Sequence, residues 1–172
     1  MASLMENLID ILNKESSEYE KLLELSMKKT PVIVTGDLEN LQHITDEEQI
    51  VVSRINNLEK LRTENINDIA NVLNKDVKTL KLANLIDMLE ARPIERQSLA
   101  DVHDRLQTVV KNVQMINNQN RELIGHAMEM VEFDMNLIQA MKKAPETAEY
   151  NRGAYTSGNS MGISRSGFDA KQ

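Results

Sequence analysis

The chain has 172 residues and a net charge of −7, with no cysteine, no tryptophan and only 3% aromatic residues. This composition favours long helices over a β-sandwich or an α/β enzyme, and it excludes disulfides and cysteine-based catalysis. An acidic chain is a poor candidate for nucleic-acid binding, because phosphate recognition needs clustered Lys and Arg. No apolar run approaches the roughly 18 residues of a membrane span, and the N-terminus lacks the basic segment of a secretory signal. We therefore expect a cytoplasmic protein without membrane insertion.

The first predicted helix begins at Ser3, which forms a capping box with Glu6. Its apolar pattern stops near Thr30 and Pro31, since the residue before a proline disfavours the helical conformation. Residues 32–34 have the composition of a strand, but no second strand is available to pair with them. We interpret them as an apolar elbow, that is, a non-helical connection between two helices.

A second helix is predicted over residues 38–73, with Asp37 as its N-cap. Thr79 is expected to cap a short third helix. Pro93 ends that helix and is suited to the first turn of a fourth.

The fourth helix is predicted to run from Pro93 to about Lys143, a length of roughly 50 residues or ~75 Å. Gly125 lies inside it, at a cost of about 1 kcal/mol relative to Ala. Because the apolar pattern continues through this glycine, we predict one continuous helix. A bend at Gly125 is compatible with this prediction.

Two apolar seams follow the fourth helix. The long seam recurs at alternating spacings of three and four and is interrupted only by Asn120 and Asp134. From residue 124 a second seam lies beside it, and together the seams cover roughly 160° of the helix circumference, more than a simple bundle requires. The long seam contains Leu99, Val102, Leu106, Val109, Val113, Ile116, Leu123, Ala127, Met130, Leu137 and Met141. The second seam contains Ile124, Met128, Val131, Met135 and Ile138.

Polar residues occupy seam positions on all three long helices: Glu15, Glu48, Arg62, Asn120 and Asp134. Such a residue either fixes the register through a contact between helices or marks a place where the seam opens to solvent. We favour the first interpretation for four of them. For Asp134 we favour the second, because a lone carboxylate is costly to bury. A bundle that has opened by Asp134 leaves the methionine-rich surface beyond it uncovered.

Methionine on this helix has two interpretations. It usually fills gaps in a core, but it also suits surfaces that accept varied helical partners, because its side chain repacks easily. The doubled seam favours a binding surface for the face as a whole.

No catalytic or metal-binding pattern is found. His43, His103 and His126 lack the Glu-x-x-His and His-Glu-x-x-His spacings of metal sites, and no glycine-rich phosphate loop or nucleophile elbow occurs. We expect no enzyme, no cofactor and no metal site.

A flexible tail, residues 144–172, is predicted to follow a helical domain of residues 1–143. The tail is rich in Gly, Ser and Asn and cannot bury enough apolar surface to offset the cost of ordering. Yet it contains Tyr150, Tyr155 and Phe168. Either these residues form a short recognition motif, or the tail is a solvated end with incidental aromatic residues.

Taken in chain order, these features resemble those of the FlgN family of flagellar export chaperones. The resemblance covers residues 4–142 and, more loosely, the tail around Tyr155 and Gly158. It rests on an ordered set of residues rather than on one specific motif. These are Glu15, Tyr19, Leu22, Leu23, Leu25, Lys28, Lys29, Gly36, Asp37, Leu38, Thr45, Glu47, Glu48, Gln49, Leu58, Glu59, Arg62, Thr79, Leu80, Asn117, Asn120, Leu123 and Ile124.

The patterns predict an all-α fold, an elongated antiparallel helical bundle or coiled coil of three long helices and one short helix, with a disordered C-terminal tail. The resemblance implies a chaperone that binds the C-terminal helical segments of hook-associated proteins, the hook–filament junction subunits. It also implies that the chaperone prevents their premature assembly and delivers them to the flagellar type III export gate.

The doubled seam is the predicted surface for such a partner, since an amphipathic helix can pack into it. Its predicted binding residues are Leu123, Ile124, Met128, Val131, Met135, Ile138 and Met141. In the tail, Tyr150 or Tyr155 is predicted to contact the export gate or to clasp the substrate.

Two other functions stay open on the sequence. The chain could be a homo-oligomeric coiled-coil structural protein whose second seam pairs with itself, or a helical adaptor of another secretion system. The oligomeric state does not follow from the sequence.

Overall fold

The computed structural model describes residues 2–143, and every regular element among them is helical. A single 3-10 turn, Val77–Thr79, precedes the short helix. The α-helices are α1 (Ala2–Thr35), α2 (Leu38–Leu73), α3 (Leu82–Met88) and α4 (Pro93–Lys143). The predicted all-α fold, with three long helices and one short helix, is confirmed for this part of the chain. The predicted tail, residues 144–172, lies outside the described residues.

The first helix is longer than predicted at both of its ends. It already includes Ala2 and Ser3, so Ser3 is a helical residue and not the N-cap. Packing of Leu4 and Met5 against the core stabilises this earlier start. At the other end α1 continues through Pro31, and the predicted elbow of residues 32–34 is wrong.

Two features explain why α1 continues past its proline. Pro31 and Met27 both lie on the exposed side of the helix, so the Met27 carbonyl that loses its backbone bond can be hydrated. Ile33, two residues further along the helix, is buried. The helix then ends in a Schellman motif at Gly36, whose φ is +71°, with the Asp37 N–H donating to the Val32 carbonyl at 3.1 Å.

The caps of α2 and α3 follow from side chains near each end. Asp37 is the predicted N-cap of α2, and its carboxylate accepts the Asn40 N–H at 3.1 Å. Thr79, in contrast, does not cap α3. The Asp76 side chain accepts a hydrogen bond from the Lys78 N–H and so caps the 3-10 turn of residues 77–79. The helix α3 starts later, after its N-cap residue Lys81.

Contacts between side chains give the directions of the long helices. The pairs Glu15–Arg62 and Ser26–Glu48 show that α1 and α2 run antiparallel. In contrast, α1 and α4 run parallel, because Glu20 contacts Arg105 and Ser26 contacts Asn117. The bundle is thus antiparallel between α1 and α2 and between α2 and α4.

The core lies along this three-helix seam in two clusters. The larger one joins the start of α1, the end of α2, α3 and the first half of α4. The smaller one contains Leu22, Leu25, Val51, Ile55 and Val113. Burial of each such aliphatic side chain contributes about 1.5–3 kcal/mol, so the core is the main source of stability.

The described residues divide into two compact units, 2–135 and 136–143, the second being the last two turns of α4. Within residues 2–143 no helix is long and apolar enough to cross a membrane.

Candidate partner-binding surface

The long seam of α4 changes from buried to exposed along the helix. Five of its residues are buried in the core: Leu99, Val102, Leu106, Val109 and Val113. At ~100° per residue these five form a stripe about 80° wide. Asn120 is the last buried residue of α4, and Leu123 is half-buried. The bundle therefore opens after Asn120, in agreement with the expectation that it has opened by Asp134.

A polar layer closes the bundle at this point. The Asn120 amide Nδ2 donates to the Ser26 carbonyl at 2.8 Å, and the Thr30 hydroxyl donates to Asn120 Oδ1 at 2.6 Å. The Ser26 hydroxyl lies 3.0 Å from Asn117 Oδ1 and 3.2 Å from Glu48 Oε1. These contacts join α1, α2 and α4, and they are the kind of contact between helices that was predicted for Asn120 and Glu48.

Beyond the polar layer, α4 has a terminal apolar surface that the rest of residues 2–135 leaves exposed. Exposure of its side chains ranges from 37% at Ile124 to 69% at Met130. Gly125 lies within this stretch, and a Cβ added to it would meet no side chain and no other element within 4 Å, so its neighbourhood is open. The terminal apolar surface consists of Ile124, Met128, Met130, Val131, Phe133 and Met135.

The last two turns of α4 continue the same residue pattern. Leu137, Ile138 and Met141 are about half to two-thirds exposed. Of the predicted binding residues, Leu123 and Ile124 are the most covered within the described part of the chain.

Phe133 was not part of either predicted seam. It is 67% exposed, and at ~100° per residue it lies about 60° beyond Met130 on the helix circumference. It widens the arc to about 220°, from Phe133 to Met128, with the exposed His126 inside the arc about 20° from Phe133. A helical-wheel projection of residues 123–135, rather than the search for heptad seams, identifies this residue from the sequence.

Asp134 lies near the middle of this arc. Its side chain is exposed, as predicted, and within residues 2–143 it has no ion pair and no side-chain hydrogen bond. The terminal apolar surface thus has one carboxylate at its centre.

The groups with shifted pKa values lie in α1, at its end, and at Arg105 in the first half of α4, away from this surface. Burial raises the pKa of the Glu15 carboxyl, although the Arg62 guanidinium opposes the shift. Burial, together with the neighbouring Glu59 and Glu15 carboxylates, raises the pKa of the Tyr19 phenol. The hydrogen bonds from Arg105 lower the pKa of Glu20, and those from Asn40 lower the pKa of Asp37.

The surface offers apolar contact area rather than reactive groups. Among residues 2–143 no group of three His, Asp or Glu side chains could hold a metal ion. The predicted tail residues Tyr150 and Tyr155 lie outside the described residues, so their roles stay predictions.

Comparison with known protein families is decisive for the class of protein. The family model described as FlgN protein matches residues 1–158. The chain belongs to the FlgN family. This membership makes it a flagellar export chaperone and agrees with its all-α fold. No curated protein and no solved structure matches the chain.

Proposed function

We propose that this FlgN-family protein acts in the cytoplasm and binds the C-terminal helical segments of hook-associated flagellar proteins. By covering their apolar faces, it prevents their premature assembly and then delivers them to the flagellar type III export gate. The binding residues are Leu123, Ile124, Met128, Val131, Met135, Ile138 and Met141, together with Phe133.

The observation that supports this proposal is the exposure of the terminal apolar surface. Soluble monomers rarely leave large contiguous apolar patches in water, and such patches commonly mark interaction sites. Here the patch lies on one face of a helix, which suits an amphipathic helix as the partner.

The width of the terminal apolar surface indicates how many helical segments the partner contributes. In the bundle, an apolar stripe of about 80° is enough to hold α4 against the rest of the molecule, whereas the terminal surface spans about 220°. A single partner helix covers only a narrow seam of such a surface. We therefore propose that the partner contributes two helical segments, one on each seam.

The tail has its own proposed role. Tyr150 or Tyr155 contacts the export gate or closes over the bound substrate. Deletion of residues 145–172 should weaken one of these interactions, measured separately by binding to the export-gate cytoplasmic domain and by substrate capture. If both are unchanged, the tail has neither role.

The main test introduces charge into the terminal apolar surface. The double substitution Met128→Asp with Met135→Asp should abolish co-purification with a hook-associated protein, because a partner helix would have to bury two carboxylates. The helicity measured by circular dichroism should stay near that of the wild type, since both side chains are exposed.

A matched control adds the same charge elsewhere on α4. Asn118 and Asn136 lie on the polar arc of the helix and are exposed. Asn118→Asp with Asn136→Asp should leave capture unchanged. Capture that survives the methionine substitutions would contradict the proposed binding surface. Failure of the unaltered protein to capture any hook-associated protein would contradict the proposed partner.

Self-association is the second candidate for the use of this surface. It predicts a stable dimer at micromolar concentration in sedimentation, with residues 124–135 protected from amide exchange. A monomer with rapid exchange in this segment would favour the chaperone function.

A further inference from the structure

Inside the bundle, acidic residues at seam positions are matched by cations from a neighbouring helix. Glu15 on α1 is completely buried, and its Oε2 accepts from Arg62 of α2 at 2.8 Å. Glu48 on α2 forms an ion pair with Lys29 of α1. In both cases the acid comes from one helix and the cation from the helix packed against it. The pairing compensates for bringing a carboxylate into an apolar seam.

Asp134 occupies the same kind of position, but its cation is missing from the described residues. It lies on the long seam of α4, with Met130 and Leu123 on one side of it and Val131 on the other. Any helix that covers the long seam must also cover this carboxylate. Covering it without a partner group would be costly, because a desolvated carboxylate needs a compensating charge or hydrogen bonds.

We propose that Asp134 is a specificity determinant, and that the terminal apolar surface accepts an amphipathic helix carrying Lys or Arg at the position facing Asp134. This inference rests on the proposed function, because it takes the surface to be a docking site for another protein's helix. The apolar residues around Asp134 supply contact area for many helices. The carboxylate then selects among them and fixes their register, as Glu15 does for α2.

A second copy of this chain fits the surface poorly. In a parallel, in-register pair, Asp134 would face the Asp134 of the other copy, which places like charges together. In an antiparallel pair centred on the surface, near residue 129, Asp134 would face the apolar Ile124. Glu129 and Glu132 add further negative charge to this stretch of each copy. Charge complementarity therefore favours a different protein with basic residues.

The test uses two synthetic amphipathic helical peptides as probes. They share one apolar face and differ only at its central position, which is Lys in one peptide and Glu in the other. Binding of each fluorescently labelled peptide is measured by anisotropy with the full chain and with two variants. The variants are Asp134→Lys and the control Glu129→Lys, which makes the same change of charge at an exposed position on the polar side of α4.

The full chain should prefer the Lys peptide by about tenfold or more, as expected for a close charge pair at a desolvated site. Asp134→Lys should reverse this preference. Glu129→Lys should change it by no more than about twofold, because exposed charges on the far face contribute little. Equal affinity of the full chain for both peptides would overturn the inference, as would absence of binding or an equal effect of the two substitutions.

Failure of the proposed function would look different. A chain that keeps its preference for the Lys peptide but captures no hook-associated protein has a selective helix-binding surface with another natural partner. A chain that captures a hook-associated protein without any peptide preference binds through its apolar residues alone, and Asp134 then has no selective role.

Discussion

Glu15 is the one charged side chain that is completely buried within residues 2–143. Its Oε2 accepts from Arg62, whereas Oε1 has no hydrogen-bond partner, and the adjacent Ser16 hydroxyl has none either. A carboxylate in this position is costly to desolvate, and the ion pair offsets part of that cost. The pair therefore contributes more to the choice of register between α1 and α2 than to net stability.

Removal of Arg62 should be strongly destabilising. We expect Arg62→Ala to lower the free energy of unfolding by about 3–5 kcal/mol, because Glu15 is then buried without a countercharge. Denaturant unfolding followed by circular dichroism measures the change. Arg54, which pairs with Glu18 at 3.6 Å and is half-exposed, provides the control. Arg54→Ala should cost no more than about 1 kcal/mol, and equal losses for the two variants would contradict this account.

The raised pKa of Glu15 predicts a dependence of stability on pH. Since the folded protein holds this proton more tightly than the unfolded chain, the group's stabilising contribution is fully present below its ordinary pKa of 4.5. It is lost as the pH rises through the raised pKa of the folded state. The unfolding free energy of the wild type, minus that of Glu15→Gln, should therefore decrease as the pH rises from about 4 to 8.

Glu20 provides a comparison of opposite sign. Hydrogen bonds from Arg105 lower its pKa, so its contribution is present above 4.5 and is lost as the pH falls through the lowered value. The unfolding free energy of the wild type, minus that of Glu20→Gln, should therefore increase with pH. The increase should be small, because the Glu20–Arg105 pair is exposed. A Glu15 difference that also increased with pH would contradict the assigned direction.

At the scale of single elements, the end of α1 shows what a local rule misses. The X-Pro rule predicted an end at Pro31, but the helix continues to Thr35 because Pro31 faces solvent and Ile33 reaches the core. Hydrophobic burial outweighs the loss of one solvated backbone hydrogen bond. The sequence shows the proline but not which side of the helix it faces once α2 and α4 have packed.

Two glycines should respond oppositely to the same substitution. Gly125 lies inside α4 with open space around it, so Gly125→Ala should stabilise the helix locally by about 0.5–1 kcal/mol. Gly36 has a φ of +71°, so Gly36→Ala should destabilise the protein by about 1 kcal/mol. Amide hydrogen exchange of residues 126–135 reports the first effect, and denaturant unfolding reports the second. Slower exchange combined with weaker partner binding in Gly125→Ala would show that a bend at this glycine is needed for binding.

For the molecule as a whole, the stability and the partner-binding surface should be separable. Every fully buried side chain among residues 2–143 lies at or before Asn120. A chain of residues 1–123 should therefore unfold within about 1 kcal/mol of the full chain and capture no partner. A chain of residues 1–116, which lacks Asn117 and Asn120, should be clearly less stable, because the Thr30 hydroxyl loses Asn120 Oδ1 and the Ser26 carbonyl loses the bond from the Asn120 amide. Large destabilisation of the 1–123 chain would show that the terminal segment supports the bundle.

Much of this arrangement could be predicted from periodicity. The spacing of apolar residues predicted the number and type of the helices, and the second seam predicted a surplus apolar face beginning at Ile124. The point at which α4 leaves the core could not be predicted in the same way. It depends on the length of α1 and on where Asn120 meets Ser26 and Thr30, which are contacts between residues about 90 positions apart. Phe133 was missed because it belongs to neither heptad seam, although its angular position was available from the sequence.

The parallel pairing of α1 and α4 also has a consequence for how the chain reaches its native state. The α1–α2 hairpin closes through a short connection, since Lys29 and Glu48 are 19 residues apart, whereas Ser26 and Asn117 are 91 residues apart. Loop-closure entropy favours the near contacts first, so we expect the hairpin to form early and α4 to dock onto it late. During synthesis on the ribosome, the apolar seam between α1 and α2 therefore stays without its third helix until the buried residues of α4, which begin at Leu99, have emerged.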